Sequence, residues 1–510
     1  MPQLRSPAMR FAPGLVSGTI GGGLIALAVW TFRWLSMGAL ENDHFVALAR
    51  AHQVLLGDWP VRDFADPGQP LNYLLSAGAG WLFGATLRTD VIVAITLLSL
   101  AAALTYSLAA RASGSLLIAL AAVAVEVAAA PRLYNAGKVL IPLAAVGLGW
   151  RYADAPSLTR LVALAAWTAF ACLWRHDFIV YAGAPTLVVL ALTHERPRAI
   201  RLSLLYLGLT LGFLLPWLIY VQWAAGLVDY LAAAFRFATT EARRTVVWPG
   251  GAWATFASIT AIPLIAIVLA RRAATPLSFA QVAFAASMAL VANLVLLRDV
   301  IATRLPDVIG LTAILAAWLA GRLVPPRALR PIAGVALLVV GTIVGSTLVA
   351  QGYGVPTPAA IARRFTAVSE MLRNETPNAI PNRERSPLIR YLASCTPAAS
   401  RVFVSGFGPE ISVLAHRPFA AGLPSWVPGY NTHSRDVGRA EAQLGRESVS
   451  IAVMLEGSAV FVEEWPRLAA HLRERNFVER TWRLDDGNVV VWVPANVGER
   501  APDSPPACER

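Results

Sequence analysis

Long apolar runs recur through the first two thirds of the chain and constrain its fold more than any other feature. There are about eleven of them, most near the 20 residues that an α-helix needs to cross a bilayer. Together they predict a mainly α-helical protein with a polytopic transmembrane bundle over residues 1–350. The runs lie near 13–37, 89–110, 113–130, 138–150, 159–174, 177–193, 202–222, 252–270, 279–297, 306–321 and 331–350.

The charge content agrees with a membrane protein. Only 15% of the 510 residues are charged and 56% are hydrophobic, whereas an ordinary soluble domain has about 25% charged residues. A net charge of +12 is also found in nucleic-acid-binding proteins, but here the basic residues fall in short loops between apolar runs, as in membrane topology. We therefore expect the lipid bilayer as a partner, and no nucleic acid.

The loops also predict an orientation. The first run is too long for the apolar region of a signal peptide and lacks a small-residue cleavage site, so we read it as an uncleaved anchor. If the N-terminus is cytoplasmic and sides alternate, every cytoplasmic loop is basic. The cytoplasmic basic residues are then Arg5, Arg10, Arg111, Arg151, Arg160, Arg196, Arg198, Arg201, Arg271, Arg272, Arg322, Arg327 and Arg330.

The same alternation places the other loops and the C-terminus outside a plasma (inner) membrane that the chain crosses many times. Four notable loops lie on this outer side, namely 38–88, 131–138, 174–177 and 223–251. Within the first of them, we predict a surface helix over 43–56 and a re-entrant or interfacial helix over 71–86.

After residue 350 the composition becomes that of a soluble domain. We predict a linker over 351–385, a small extracytoplasmic α/β domain over 386–497 and a disordered tail over 498–510. Alternation and turn signals predict strands, a hairpin and two helices in this domain. The strands are 401–406, 449–455, 459–464 and the pair "FVERTWRL" and "NVVVWVP" around Asp485-Asp486-Gly487, and the helices are 409–417 and 465–477.

Cofactor motifs are absent from the sequence. It contains no Walker A motif, no GxGxxG dinucleotide motif and no HExxH. Cys172, Cys395 and Cys508 show no metal-binding or disulfide pattern. No cofactor is predicted with certainty, and a role for a divalent metal stays open.

The polar residues of the membrane half gather in the outer loops, beginning with Glu41, Asp43 and His44 at the end of the first run. A carboxylate is favoured at the N-terminal end of a helix over 43–56. The alternative is that Asp43 or Asn42 is a plain N-cap. Further on, Asp63 and Asp66 flank a Pro-Gly turn. We expect Asp66 to stabilise the turn. For Asp63, a role in the turn and a role in a substrate site both stay open.

Two later loops contain cations. In "PRLYNAGK", Arg132 and Lys138 beside Tyr134 can hold a phosphate, or anchor the chain at the interface. In "WRHDF", Arg175, His176 and Asp177 lie between two spans with almost no loop. Ionisable groups so near the hydrocarbon are costly unless they pair or serve a site. Arg243 and Arg244 add two cations to the long outer loop.

The opening stretch resembles the GT-C class of integral-membrane glycosyltransferases, which includes aminoarabinose and protein mannosyl transferases and the RgtA/B/C/D-like group. That class has a short acidic motif in its first outer loop, before a Gly-Asp. Here Asp43 precedes Gly57 by 14 positions. The other acidic position reads Asn42, after Glu41, and "GQPL" (68–71) matches only part of the family's Lys-Pro-Pro-Leu pattern.

The resemblance implies a sugar donor linked to a polyprenyl phosphate and used on the outer face of the membrane, with a glycan, lipid or protein as acceptor. Asp43 would be the base of an inverting transfer, with His44 or His176 orienting the acceptor. Glu41, Asp63, Tyr134 and Asp177 complete the predicted substrate site. The phosphate would be held by Arg132, Lys138, Arg175, Arg243 and Arg244.

Two other functions fit a polytopic chain. A transporter or flippase would need ionisable groups in the middle of its spans, and Glu126 in "AAVAVEVAAA" is the one clear case. A non-catalytic scaffold or sensor would leave the outer polar clusters scattered in space.

Overall fold

The computed structural model describes residues 15–242, 252–272, 277–297, 301–350, 357–375, 379, 383–484 and 487–498. The chain forms two compact units. The first unit contains 1–36, 94–216 and 242–364, and the second contains 37–93, 217–241 and 365–510. The second unit thus combines the C-terminal domain with most of two predicted outer loops, 38–88 and 223–251.

Fourteen α-helices lie between residues 15 and 350 in the described part of the chain. They are α1 Leu15–Leu35, α2 Asn42–Leu55, α3 Pro70–Phe83, α4 Leu87–Ser113, α5 Leu116–Ala128, α6 Ala136–Asp154, α7 Leu158–Trp174, α8 Phe178–Thr193, α9 Arg196–Ala224, α10 Leu227–Ala242, α11 Ala252–Ala270, α12 Phe279–Asn293, α13 Ile301–Leu323 and α14 Pro326–Ala350.

Eleven of these helices coincide with the apolar runs of the sequence, and the other three are α2, α3 and α10. Among the described residues, five helices are both long and apolar enough to cross a membrane, namely α4, α9, α11, most of α13, and α12 with its 3₁₀ extension to Leu297. Shorter apolar helices account for most of the others. The predicted helices over 43–56 and 71–86 are present as α2 and α3.

Polar contacts within the first unit join loops that the alternation places on the cytoplasmic side. Arg111 at the end of α4 pairs with Asp154 at the end of α6, with 2.6 Å between Nη2 and Oδ1. The Gln281 amide of α12 donates to the same carboxylate over 2.8 Å. Tyr152 and His194 form a third contact at 2.8 Å. Four loops of one predicted side therefore meet at one end of the bundle.

The described C-terminal part combines seven helices with a four-stranded sheet. The strand order is β1-β2-β4-β3, with β1 parallel to β2 and the other pairs antiparallel. The elements are α15 Pro358–Arg373, α16 Ser386–Cys395, β1 Arg401–Ser405, α17 Glu410–Leu414, α18 Ser434–Leu444, β2 Val449–Met454, α19 Ser458–Glu464, α20 Pro466–Glu474, β3 Phe477–Leu484, β4 Gly487–Pro494 and α21 Ala495–Gly498.

Two expectations for this domain were wrong. Residues 459–464 form helix α19 and not a strand, because a short apolar run has no period long enough to separate the two structures. Phe461 and Trp465 are both fully buried. They are four residues apart, a spacing that places two side chains on the same face of a helix. Cys395 is disulfide-bonded, a pairing that cysteine spacing alone did not reveal.

An ion pair ties the turn after α2 to the start of β1 within the second unit. The Arg401 guanidinium donates to both oxygens of Asp58, over 2.7 and 2.9 Å. Gln53 of α2 donates to Asp58 over 2.5 Å and exchanges two hydrogen bonds with the backbone of Phe419. Gly57, with φ of 98°, provides the left-handed turn that leads into Asp58. Asp58 therefore has a structural role.

We expect Arg401→Ala to destabilise the second unit by about 2 to 3 kcal/mol, because it leaves a partly buried carboxylate without its bidentate partner. Thermal unfolding of the full chain in detergent, followed by tryptophan fluorescence, measures this. Arg467→Ala is the matched control, since its pair with Glu441 is mostly exposed and should contribute less than about 1 kcal/mol. Equal effects of the two variants would show that the Asp58 pair is unimportant.

Candidate functional site

The acid at the end of the first span is exposed in the second unit. Asp43 lies in the first turn of α2, where the helix dipole favours a carboxylate. The N-cap position is held by Glu41, which makes no side-chain capping bond, so the plain N-cap explanation fails for Asp43. Within the described residues, no hydrogen bond or ion pair occupies its carboxylate.

His44, the next residue, points into the second unit. It is only 4% exposed, and its Nε2 lies 2.6 Å from Oδ2 of Asp90. The other oxygen of Asp90 accepts a hydrogen bond from Ser76 over 2.5 Å. This network fixes the start of α2, and with it the backbone of Asp43. Sequence analysis missed Asp90, which stands in the first turn of the following long helix as Asp43 does in its own.

The two later acids of this loop mainly hold its turns. Asp63 accepts from the backbone of Trp59 over 2.7 Å and pairs with Arg62. Burial would raise the pKa of Asp63, but the hydrogen bonds from Arg62 and Trp59, together with the charges of Arg62 and Arg401, outweigh it and lower the pKa. Asp66 accepts from the backbone of the turn and, over 2.7 Å, from Tyr230. The turn chemistry predicted for Asp66 is therefore present.

A histidine pair lies at the other end of α2. His52 stacks on His416 with 6.2 Å between ring centroids, and His416 Nε2 lies 3.1 Å from a carboxylate oxygen of Glu375. The hydrogen bond to Glu375 raises the pKa of His416, whereas burial and then the neighbouring His416 charge lower that of His52. His416 is thus the member of the pair that takes up a proton first as the pH falls.

The first unit gathers cations from two predicted outer loops. In the 3₁₀ turn at 133–135, the Tyr134 hydroxyl accepts a hydrogen bond from Arg132 over 2.6 Å. The Arg132 guanidinium carbon and the Lys138 ammonium each lie 5.9 Å from the centroid of the Tyr134 ring. The only lysine of the chain and an arginine thus both lie near the ring of Tyr134.

The turn between α7 and α8 supplies the next charges. Arg175 Nη2 lies 2.5 Å from Asp177 Oδ2, and the arginine side chain is 17% exposed. Burial would lower the pKa of Arg175, but Asp177 outweighs it and raises the pKa, so the guanidinium stays charged. His176 lies in the same turn and is half-buried.

Lys138 connects these loops electrostatically. Charges of Arg175 and Arg304 repel its ammonium, and those of Asp307 and Asp177 attract it. We call Arg132, Lys138, Arg175 and Arg304 the cationic cluster. The sequence analysis did not predict Arg304 and Asp307 as site residues. They lie at the end of an apolar run, and the same kind of position had pointed to Asp43. Three loops of the same predicted side thus converge in the first unit.

Close packing positions two members of the cluster. Gly137, in the first turn of α6 beside Lys138, lies against the indole of Trp174, which precedes Arg175. Trp174 is 6% exposed. A Cβ at residue 137 would overlap the indole ring, so this contact requires glycine and fixes the spacing between the two loops.

Two of the predicted phosphate-binding residues, Arg243 and Arg244, lie outside the residues that the structure describes. Across the described part of the chain, no three His, Cys, Asp or Glu side chains lie close enough together to hold a metal ion.

No protein-family model and no curated protein sequence matches the chain. Among solved structures, it is similar to ArnT from Cupriavidus metallidurans bound to undecaprenyl phosphate, with a TM-score of 0.55 and 16% sequence identity. The match covers 94% of this chain and 99% of that one. At this identity the likeness establishes the fold. The chain has the same polytopic helical fold as ArnT, with a small C-terminal sheet, as the sequence predicted.

Proposed function

We propose that the protein is a membrane glycosyltransferase that moves a sugar from a polyprenyl-phosphate-linked donor to an envelope acceptor on the outer face of the inner membrane. The cationic cluster of the first unit carries this proposal, because its four cations exceed the two carboxylates that act on them, Asp177 and Asp307, and a bound anion would balance the excess positive charge. ArnT, whose fold the chain shares, is bound to undecaprenyl phosphate in its structure, and that lipid presents such an anion.

In the proposed reaction, Asp43 accepts the proton of an acceptor hydroxyl while the hydroxyl oxygen bonds to C1 of the donor sugar. The bond from C1 to the phosphate oxygen breaks on the opposite face, and its electron pair leaves with the polyprenyl phosphate. Lys138 and Arg175 neutralise that phosphate, so no general acid is needed. The configuration at C1 inverts. The exposed, unbonded carboxylate of Asp43 suits a base.

The contacts of Glu126 weaken the transporter or flippase alternative. Glu126 is 2% exposed within α5, which is what a transporter would show. However, the charge of Arg33 attracts it. A single buried acid beside one cation does not make a path across the membrane, so Glu126 gives a transport role little support.

Arg175→Ala tests the phosphate site. We expect the affinity for undecaprenyl phosphate to fall about 10- to 100-fold, the effect of losing a charge-assisted hydrogen bond in a poorly solvated place. Binding is measured with the purified full chain in lipid nanodiscs. The matched control is Arg111→Ala, which also breaks an arginine–aspartate pair of the first unit but at the end of α4. Unchanged affinity in Arg175→Ala would refute the site.

The activity itself is tested in cells. Envelope glycans and lipid-linked sugars are compared by mass spectrometry in cells with and without this protein. In cells that lack it, one glycan should lose a sugar and the lipid-linked donor should accumulate. If the lipid-linked sugars only change sides of the membrane and no glycan changes, the flippase alternative replaces the transferase.

A further inference from the structure

A second feature of the cationic cluster is a pair of hydrogen-bond acceptors. Asn135 is fully buried, and its Nδ2 donates to Oδ2 of Asp307 over 3.0 Å. The remaining oxygen of each side chain, Asn135 Oδ1 and Asp307 Oδ1, is also buried and has no hydrogen-bond partner among the described residues. A buried acceptor left unpaired costs about 1–3 kcal/mol, so both oxygens call for a donor from outside the chain.

These acceptors do not suit a phosphate. Phosphate oxygens only accept hydrogen bonds from the protein, and a carboxylate near them is repelled. Yet the charge of Asp307 acts on Lys138 together with those of Arg175 and Arg304. A site built for phosphate alone would contain cations and N–H groups without an unpaired carboxylate oxygen. The ligand of this site should therefore bring donors as well as an anion.

A sugar phosphate has both kinds of group, since its hydroxyls donate and its phosphate accepts. On the proposed function given above, we infer that Asn135 and Asp307 bind a hydroxyl group of the donor sugar while Lys138 and Arg175 bind its phosphate. The two acceptors are held at a fixed spacing by their own hydrogen bond, which favours one arrangement of sugar hydroxyls. The pair is thus a specificity-determining element.

The test compares the binding of two kinds of lipid to the full chain in nanodiscs. One probe is undecaprenyl phosphate, and the others are undecaprenyl phosphates that carry a single hexose or pentose. Asp307→Asn keeps the side-chain size and the bond to Asn135 but replaces the unpaired acceptor by a donor. We expect the affinity for the best sugar-bearing lipid to fall about tenfold, the loss of one charge-assisted hydrogen bond, and that for undecaprenyl phosphate to stay the same or rise.

Asp154→Asn, in the loop contacts at the other end of α6, is the control and should change neither affinity. If Asp307→Asn fails to fold, Asn135→Ala removes one of the two acceptors and should give the same selective loss. An equal loss for both lipids, or no preference of the wild type for any sugar-bearing lipid, overturns the inference. Failure of the wild type to bind undecaprenyl phosphate at all would instead reject the proposed function.

Discussion

Asp43→Asn should abolish sugar transfer, with a fall in kcat of about 10² to 10⁴, the usual contribution of a positioned general base. The amide has nearly the same size as the carboxylate but cannot take up the acceptor's proton. Asp43 is exposed and makes no polar contact in the described structure, so its replacement should leave folding and membrane insertion unchanged. Transfer from a radiolabelled lipid-linked sugar measures kcat, and the thermal unfolding midpoint measures stability.

The control for this variant is Asp229→Asn. Asp229 is an exposed acid in the first turn of another helix of the same unit, α10, so it reproduces the loss of a favourable charge at a helix N-terminus. Asp43→Glu should keep part of the activity, because the base is displaced and not removed. Full activity of Asp43→Asn would exclude Asp43 as the base, whatever the fate of the phosphate site.

Gly137→Ala should destabilise the first unit and weaken its phosphate site. The added methyl overlaps the indole of Trp174, and overpacking of a filled site costs about 1–3 kcal/mol. Because Trp174 precedes Arg175 and Gly137 precedes Lys138, relieving the overlap should also separate two members of the cationic cluster. We expect a lower unfolding midpoint together with weaker binding of undecaprenyl phosphate.

Gly147→Ala is the matched control in the same helix. A Cβ there meets no atom within 4 Å, so the helix should gain about 0.5–1 kcal/mol from replacing glycine by alanine. The two variants therefore differ in sign. Destabilisation of both to the same extent would mean that helix α6 tolerates no change at all and that the Trp174 contact has no special role.

Local pattern was sufficient for most of the secondary structure. Apolar runs predicted the eleven helices, since the need for satisfied backbone groups in hydrocarbon leaves no other structure for such segments. The hairpin of β3 and β4 was also predicted correctly, because alternation over eight residues is a strong signal. A short apolar run such as 459–464 is not long enough to show a helical or a strand periodicity. This segment forms a helix that buries Phe461 in the tertiary structure.

The sequence by itself determined that this chain is a polytopic helical protein with a small C-terminal α/β domain, and it predicted that acids and cations gather on one side of the membrane. Only the tertiary structure decided their partners: Asp90 for His44, Arg401 for Asp58, and Asp307 for Asn135. The physical reason is that apolar content and periodicity act over neighbouring residues, whereas hydrogen bonds and charge pairs depend on which distant segments the fold brings together.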